Sequence, residues 1–274
     1  MARSPTARGP AWFGPAYAEM MRHDPHARGS IDRRLLVGAI GLDARSARRL
    51  YDRRSRPTPG YRRGSRPQLE TIVGPMVGPE PDRTVAAIAR FASSLSRRGP
   101  RGIDRLRFGG SEEAIVDRGS DWCSDVARVT AALAQVAGIP SRIVLLADTS
   151  LPYAGHAVIE AYRDHRWGCV DGLTGVVYRR PSGEPATTWE LMRHPSWVRS
   201  FRDPSATPYS NPGQFRRCAI APYRLPLRTA RGYRSSRINA YYRAVLRQSE
   251  RGWPGGRRWL FGEGDRPAPG VAVR

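Results

Sequence analysis

The sequence predicts an α+β fold, helices packed on an antiparallel sheet, and three observations predict it. Residues 82–98 and 121–138 carry apolar side chains at three- and four-residue spacing and stop at Gly and Pro. Residues 142–147 and the stretch from His156 to Asp171 read as short strands, the latter folded into a hairpin. The helical half precedes the strand half instead of alternating with it, which separates α+β from α/β. A chain of 274 residues that is 40% hydrophobic suits one or two domains at roughly 150 residues each. It can bury about 70% or more of its unfolded surface, which excludes disorder throughout.

Taken in order, residues 1–29 are rich in Gly, Pro and Arg and read as loosely ordered, with AYAEMM able to form a short helix. IDRRLLVGAIGLDARSARRLY has helical character and runs into a basic, Pro-containing linker. In the next helix Asp82 is placed as N-cap, Val85, Ile88, Phe91, Ala92 and Leu95 form the buried stripe, and Arg97, Arg98, Gly99 and Pro100 supply a basic last turn and a stop. A short helix follows, with Ser111 as N-cap, Glu112 and Glu113 in its first turn and Gly119 at its end. From Asp121 a helix carries Cys123, Val126, Val129, Leu133 and Val136 on one stripe and ends at Gly138 and Pro140. RIVLLA, HAVIEAY and RWGCVD are strands, and VVY at 176–178 can add another. From about residue 185 the composition turns to Pro, Trp and Tyr, with a last helix over SSRINAYYRAVLRQSERG and a frayed tail. The expected organisation is a basic, partly helical region over 1–78, a core over 79–181 and an aromatic, Pro-rich extension over 182–274.

The net charge of +22 points first to a polyanionic partner, since basic side chains on phosphates release counterions. All 46 basic residues are Arg and none is Lys, and Asn occurs only at 211 and 239, a pairing that GC-rich coding imposes. The densest block, residues 48–67, holds eight Arg against Asp52 with Tyr51 and Tyr61 between them. It reads as a solvated basic linker or, alternatively, as a surface for nucleic acid or an anionic glycan. The opening residues lack the apolar stretch of a secretory leader, and no run approaches the roughly 20 apolar residues of a membrane span, so a cytoplasmic location is expected. Three cysteines, Cys123, Cys169 and Cys218, form no CxxC pair, which argues against a disulfide framework or a zinc ribbon. No metal and no cofactor are expected.

One cysteine is instead placed for chemistry. Helix N-termini carry partial positive charge and unpaired N–H groups that favour a thiolate, and Cys123 stands in such a first turn. Alone it would read as a small buried hydrophobe. His156 opens the first hairpin strand and Asp171 closes the second, so antiparallel pairing sets them side by side. The carboxylate can then hold the imidazole in one tautomer while its other nitrogen faces a thiol: a nucleophile, a base and an orienting group. Cys169 and Cys218 read as core thiols, and Glu160, alternating with His156 and Val158, is a candidate for a supporting ion pair behind the site. Trp122 is a candidate wall of a substrate groove, with packing as the competing role. His165 falls in the hairpin turn and His194 precedes Pro195 in a loop.

Three separated blocks, DWCSDVARVTAALAQVAGIPSRIV, GHAVIEAY and WGCVD, resemble the transglutaminase-like cysteine enzymes of the papain-like superfamily over roughly residues 82–178. Relatives commonly carry Gly beside the nucleophile, where Ser120, Asp121 and Trp122 stand here. The resemblance implies a papain-like, transglutaminase-like core, with Cys123 as nucleophile, His156 as general base and acid, and Asp171 orienting His156. It implies acyl transfer on the amide of a peptide or protein, to water or to an amine. AIAPYRLP and the segment from Ser236 to Glu263 resemble an extension carried by uncharacterised prokaryotic members. The competing expectation is a catalytically silent module of the same fold that binds an anionic partner through the Arg-rich flanks. Residues 121–171 carry four Arg against six carboxylates, so the positive charge lies outside the segment that carries the triad.

Overall fold

The fold is that of a computed structural model describing residues 38–52, 57–98, 109–120, 122–147, 155–198 and 212–221. Its centre is a six-stranded sheet of order β1-β6-β2-β3-β4-β5 with every neighbouring pair antiparallel. The strands are β1 (Ile40–Gly41), β2 (Ser141–Ala147), β3 (Gly155–Arg163), β4 (Arg166–Asp171), β5 (Val176–Val177) and β6 (Arg217–Ala221). Between them run α1 (Ala44–Leu50), α2 (Pro67–Val73), α3 (Pro81–Arg98), α4 (Glu112–Arg118), α5 (Cys123–Val136) and α6 (Thr188–Arg193). Helices packed on an antiparallel sheet are the α+β arrangement the sequence predicts.

Strand alternation sorts the core into two layers. Ile143, Ala157, Ile159, Ala161, Val170, Ala219 and Ala221 pack with α2, α3, α4 and α5 on one face. Val144, Leu146, Val158, Cys169, Cys218 and Ile220 face the other side, where Leu191, Ala186, Tyr178 and Phe215 cover them. Helix α5 is buried along nearly all its length, as its Ala- and Val-rich sequence requires of a helix wedged between a sheet and other helices. The hairpin turn is two residues long, with Asp164 at φ 51° and His165 at φ 60°, the paired left-handed geometry that matches the twist of adjacent strands.

Several elements depart from the sequence expectation. Helix α3 starts at Pro81, so Asp82 lies inside its first turn, where a missing proline N–H costs nothing. The stretch expected to be helical before residue 51 contains β1, and α1 begins only after Asp43, which forms a capping box with Ser46. The sheet is not confined to 79–181. β1 and β6 come from either side of that range, and β6 lies between β1 and β2 with Ile143 opposite Ala221. The block 48–67 is not a uniformly solvated linker, because Arg66 is buried against Glu112 and Glu113. The expectations for residues 1–29, the last helix and the C-terminal tail lie outside the described residues.

Candidate active site

The last turn before α5 fixes where its first residue stands. Ser120 donates its N–H to the carbonyl of Leu95 at 3.1 Å, and its Oγ accepts the N–H of Trp122 at 3.1 Å. Trp122 is the extended N-cap, and Cys123 is the first helical residue. Cys123 is only partly buried and packs against Ala92, Val126 and Leu173. Trp122, also partly buried, packs against the helical core.

His156 and Asp171 meet where β3 and β4 separate. Their last paired residues are Ile159 and Val170, so Asp171 lies one step beyond the ladder, a diagonal neighbour of His156 on the same side. Asp171 Oδ2 lies 2.9 Å from His156 Nε2, with both side chains fully buried. Asp171 Oδ1 accepts the N–H groups of Leu173 (2.9 Å) and Thr174 (3.3 Å). The turn after β4 thus clamps one carboxylate oxygen while the other engages the ring. With Nε2 taken, Nδ1 is the ring nitrogen left for a thiol, and Cys123 lies near enough to the ring to favour its charged form. Burial disfavours the imidazolium, but the charge of Asp171, its hydrogen bond and the contact with Cys123 outweigh burial and push the His156 pKa up to about 10. The structure therefore brings Cys123, His156 and Asp171 together. Gly172 belongs to this geometry: a Cβ there would sit 2.1 Å from Thr130 Oγ1 on α5, so only glycine lets the end of β4 lie against the helix that carries Cys123.

Glu160 lies elsewhere. Its Oε2 accepts from the Arg142 guanidinium at 2.7–2.8 Å, and its Oε1 accepts from the Tyr51 hydroxyl (2.8 Å) and the Thr188 N–H (2.7 Å). The Arg142 guanidinium sits over the Trp167 ring at 4.0 Å and the Tyr51 ring at 4.8 Å. This knot ties α1, β2, β3, β4 and the start of α6 together. Cys169 and Cys218 are fully buried, and burial, with Glu160 adding to it, pushes both thiols well above their ordinary range. His165 is exposed in the turn, and His194 stacks on Trp197 at 4.3 Å. A cavity of about 170 Å³ lined by Tyr162, Trp167, Trp189 and Glu190, among others, lies at the hairpin tip, the end of β3 opposite His156. Among the described residues no cluster of three His, Cys, Asp or Glu could hold a metal, and no helix is long and apolar enough to cross a membrane.

One residue beside Cys123 had no assigned role in the sequence. Asp125, fully buried in the first turn of α5, accepts from the Gly109 N–H, the Arg118 guanidinium (2.7 Å) and the Ser120 hydroxyl (3.3 Å). Burial raises its pKa despite the opposing pull of Arg128 and Arg118. Arg128 joins Glu112, which also meets Arg66. The available signal was the i, i+3 pair Asp125–Arg128 on a stripe otherwise apolar.

A cysteine at a helix start thus stands near a histidine that a buried aspartate holds. The family model described as the transglutaminase-like superfamily matches residues 74–172. The likeness is confined to this segment. The transglutaminase-like segment includes Cys123, His156 and Asp171, together with α3, α4, α5 and strands β2 to β4. A solved structure named "Putative Cysteine Protease" from Cytophaga hutchinsonii is similar at 20% identity and a TM-score of 0.32, over 40% of this chain and 38% of that one. The match thus spans little more than a third of that protein's length. No curated protein gives a significant match.

Proposed function

We propose that the protein is a cysteine-dependent acyl-transfer enzyme acting on an amide bond of a peptide or protein, with Cys123 as nucleophile, His156 as general base and acid, and Asp171 as the group that orients His156. The observation that supports this reading most is the buried 2.9 Å contact between His156 Nε2 and Asp171 Oδ2, which leaves the opposite ring nitrogen for the thiol. With the proton of the pair held on His156, the Cys123 sulfur attacks the amide carbonyl carbon. A C–S bond forms while the carbonyl π electrons move onto oxygen. The oxyanion collapses, His156 protonates the departing nitrogen, and the C–N bond breaks to leave a thioester and a free amine. Water or an incoming amine, deprotonated by His156, then attacks the thioester and releases the thiol. The Cys123 N–H at the start of α5 is a donor for the oxyanion. Trp122, partly exposed at the same helix start, is a wall for the acyl group.

Incubating the full chain with a peptide library, with and without a primary amine, tests this reading. New carboxylates in the absence of amine identify hydrolysis, and amine-linked products identify transamidation. Either must vanish in Cys123→Ala, and products that persist in that variant would contradict the assignment.

A further inference from the structure

We propose that Asp125 is a positioning residue for Cys123, acting through Ser120 on the backbone that delivers the nucleophile to His156. The proposal rests on the acyl-transfer reading and adds a part that reading does not contain. A serine hydroxyl has one proton to give and lone pairs to receive, and Ser120 uses both: its Oγ gives to Asp125 Oδ2 and takes the N–H of Trp122. The carboxylate two residues after Cys123 thereby orients the amide one residue before it. The first turn of α5 is closed from both sides of the nucleophile.

The rest of the network holds that carboxylate still. Gly109 N–H reaches both oxygens of Asp125 at 3.0 and 3.1 Å, Arg118 comes from the last turn of α4, and Arg128 comes from one turn further along α5. Arg128 passes the constraint to Glu112 at the head of α4 and to the Gly110 carbonyl, and Glu112 passes it to Arg66 just before α2. Arg66, Glu112, Asp125 and Arg128 are all nearly or fully buried. Buried ion networks are poor sources of stability, because desolvating the charges cancels most of their attraction. What this one provides is geometry. Apolar residues could hold α4 against α5, but they could not fix the direction of the Trp122 amide. Displacing a reacting atom by about 1 Å can cost on the order of a hundredfold in rate.

The test is alkylation of Cys123 by iodoacetamide in the full chain, followed by mass spectrometry as a function of pH, with thermal unfolding measured in parallel. Ser120→Ala removes the link to Trp122 and leaves every ion pair in place, and Asp125→Ala removes the anchor itself. The expected result is a fall of about ten- to a hundredfold in the Cys123 labelling rate at neutral pH in both. The pH midpoint of labelling should move upward while Cys169 and Cys218 stay protected. Asp125→Asn, which keeps an acceptor for Gly109, should fall between them and the unaltered protein. A purely structural role would lower the unfolding temperature without moving the midpoint. Ser120→Ala labelling at the unaltered rate and midpoint would overturn the proposal, even if Asp125→Ala does not fold. If Cys123 of the unaltered protein labels no faster than Cys169 and Cys218, the acyl-transfer reading itself falls, and the proposal with it.

Discussion

Two buried carboxylates on neighbouring stretches of the sheet are built alike. Asp171 gives one oxygen to the backbone amides of Leu173 and Thr174 and the other to His156. Glu160 gives one oxygen to Tyr51 and the Thr188 amide and the other to Arg142. His156 and Glu160 are four residues apart on β3. What differs is the cation. Arg142 cannot release a proton under any ordinary condition and is closed in by Trp167 and Tyr51. His156 can release one, and its remaining nitrogen is turned to a partly exposed thiol. A buried ion pair marks chemistry only when the cation can titrate beside a reactive, accessible group. The Glu160 pair belongs to the architecture.

That contrast can be broken by experiment. The largest effect should come from Cys123→Ala, with turnover lost by at least about 10³-fold and the unfolding temperature little changed, since a small, partly exposed side chain is removed. Steady-state turnover beside calorimetry checks this.

Glu160→Ala should do the reverse. It leaves Arg142 in the interior without its counter-charge, a loss of about 3–5 kcal/mol visible in urea unfolding. Iodoacetamide labelling of Cys123 in the folded protein should stay within about twofold. Labelling slowed as much as in His156→Ala would merge the two clusters into one functional unit.

Gly172→Ala probes the seam between them. Its Cβ would collide with Thr130 Oγ1, and overpacking of this kind costs about 1–3 kcal/mol. Because Asp171 is the adjacent residue, Cys123 labelling should slow as well. Unchanged labelling would show that Asp171 does not depend on the close approach of β4 to α5.

The smallest and most selective effect is in the pH profile. The His156 pKa is raised from 6.5 to about 10, so its pairing with Asp171 contributes stability in full below about pH 6.5. That contribution is lost as pH rises through about 10. The imidazole proton resonances of His156 should therefore barely move between pH 6 and pH 8. A His156 titration centred near 6.5 would contradict the pairing.

The sequence made the long-period features legible. The stripes of α3 and α5 and the hairpin strands are local patterns, and Cys123, His156 and Asp171 stand at element ends that those patterns locate. β6 was missed because RCAIA is five residues flanked by Arg and Pro, and its place depends on pairing with residues 70 or more positions earlier. β1 has two residues and no periodicity at all. The Asp125 network escaped for the same reason: Arg66 and Glu112 meet across 46 residues, and in sequence each is one charge among many. Glu160 was legible as a buried carboxylate on the right strand, but its partner Arg142 is identified only by the register of β2 against β3.

The most direct measurement is competitive alkylation of the three cysteines at neutral pH in the unaltered protein and in His156→Ala. Cys169 and Cys218 are buried and their thiols are pushed well above the ordinary range, while Cys123 is partly exposed and lies near His156. The account predicts that Cys123 is modified first and alone, and that His156→Ala slows it while the other two stay protected. Equal, slow modification of all three thiols, or a Cys123 rate indifferent to His156→Ala, would contradict it.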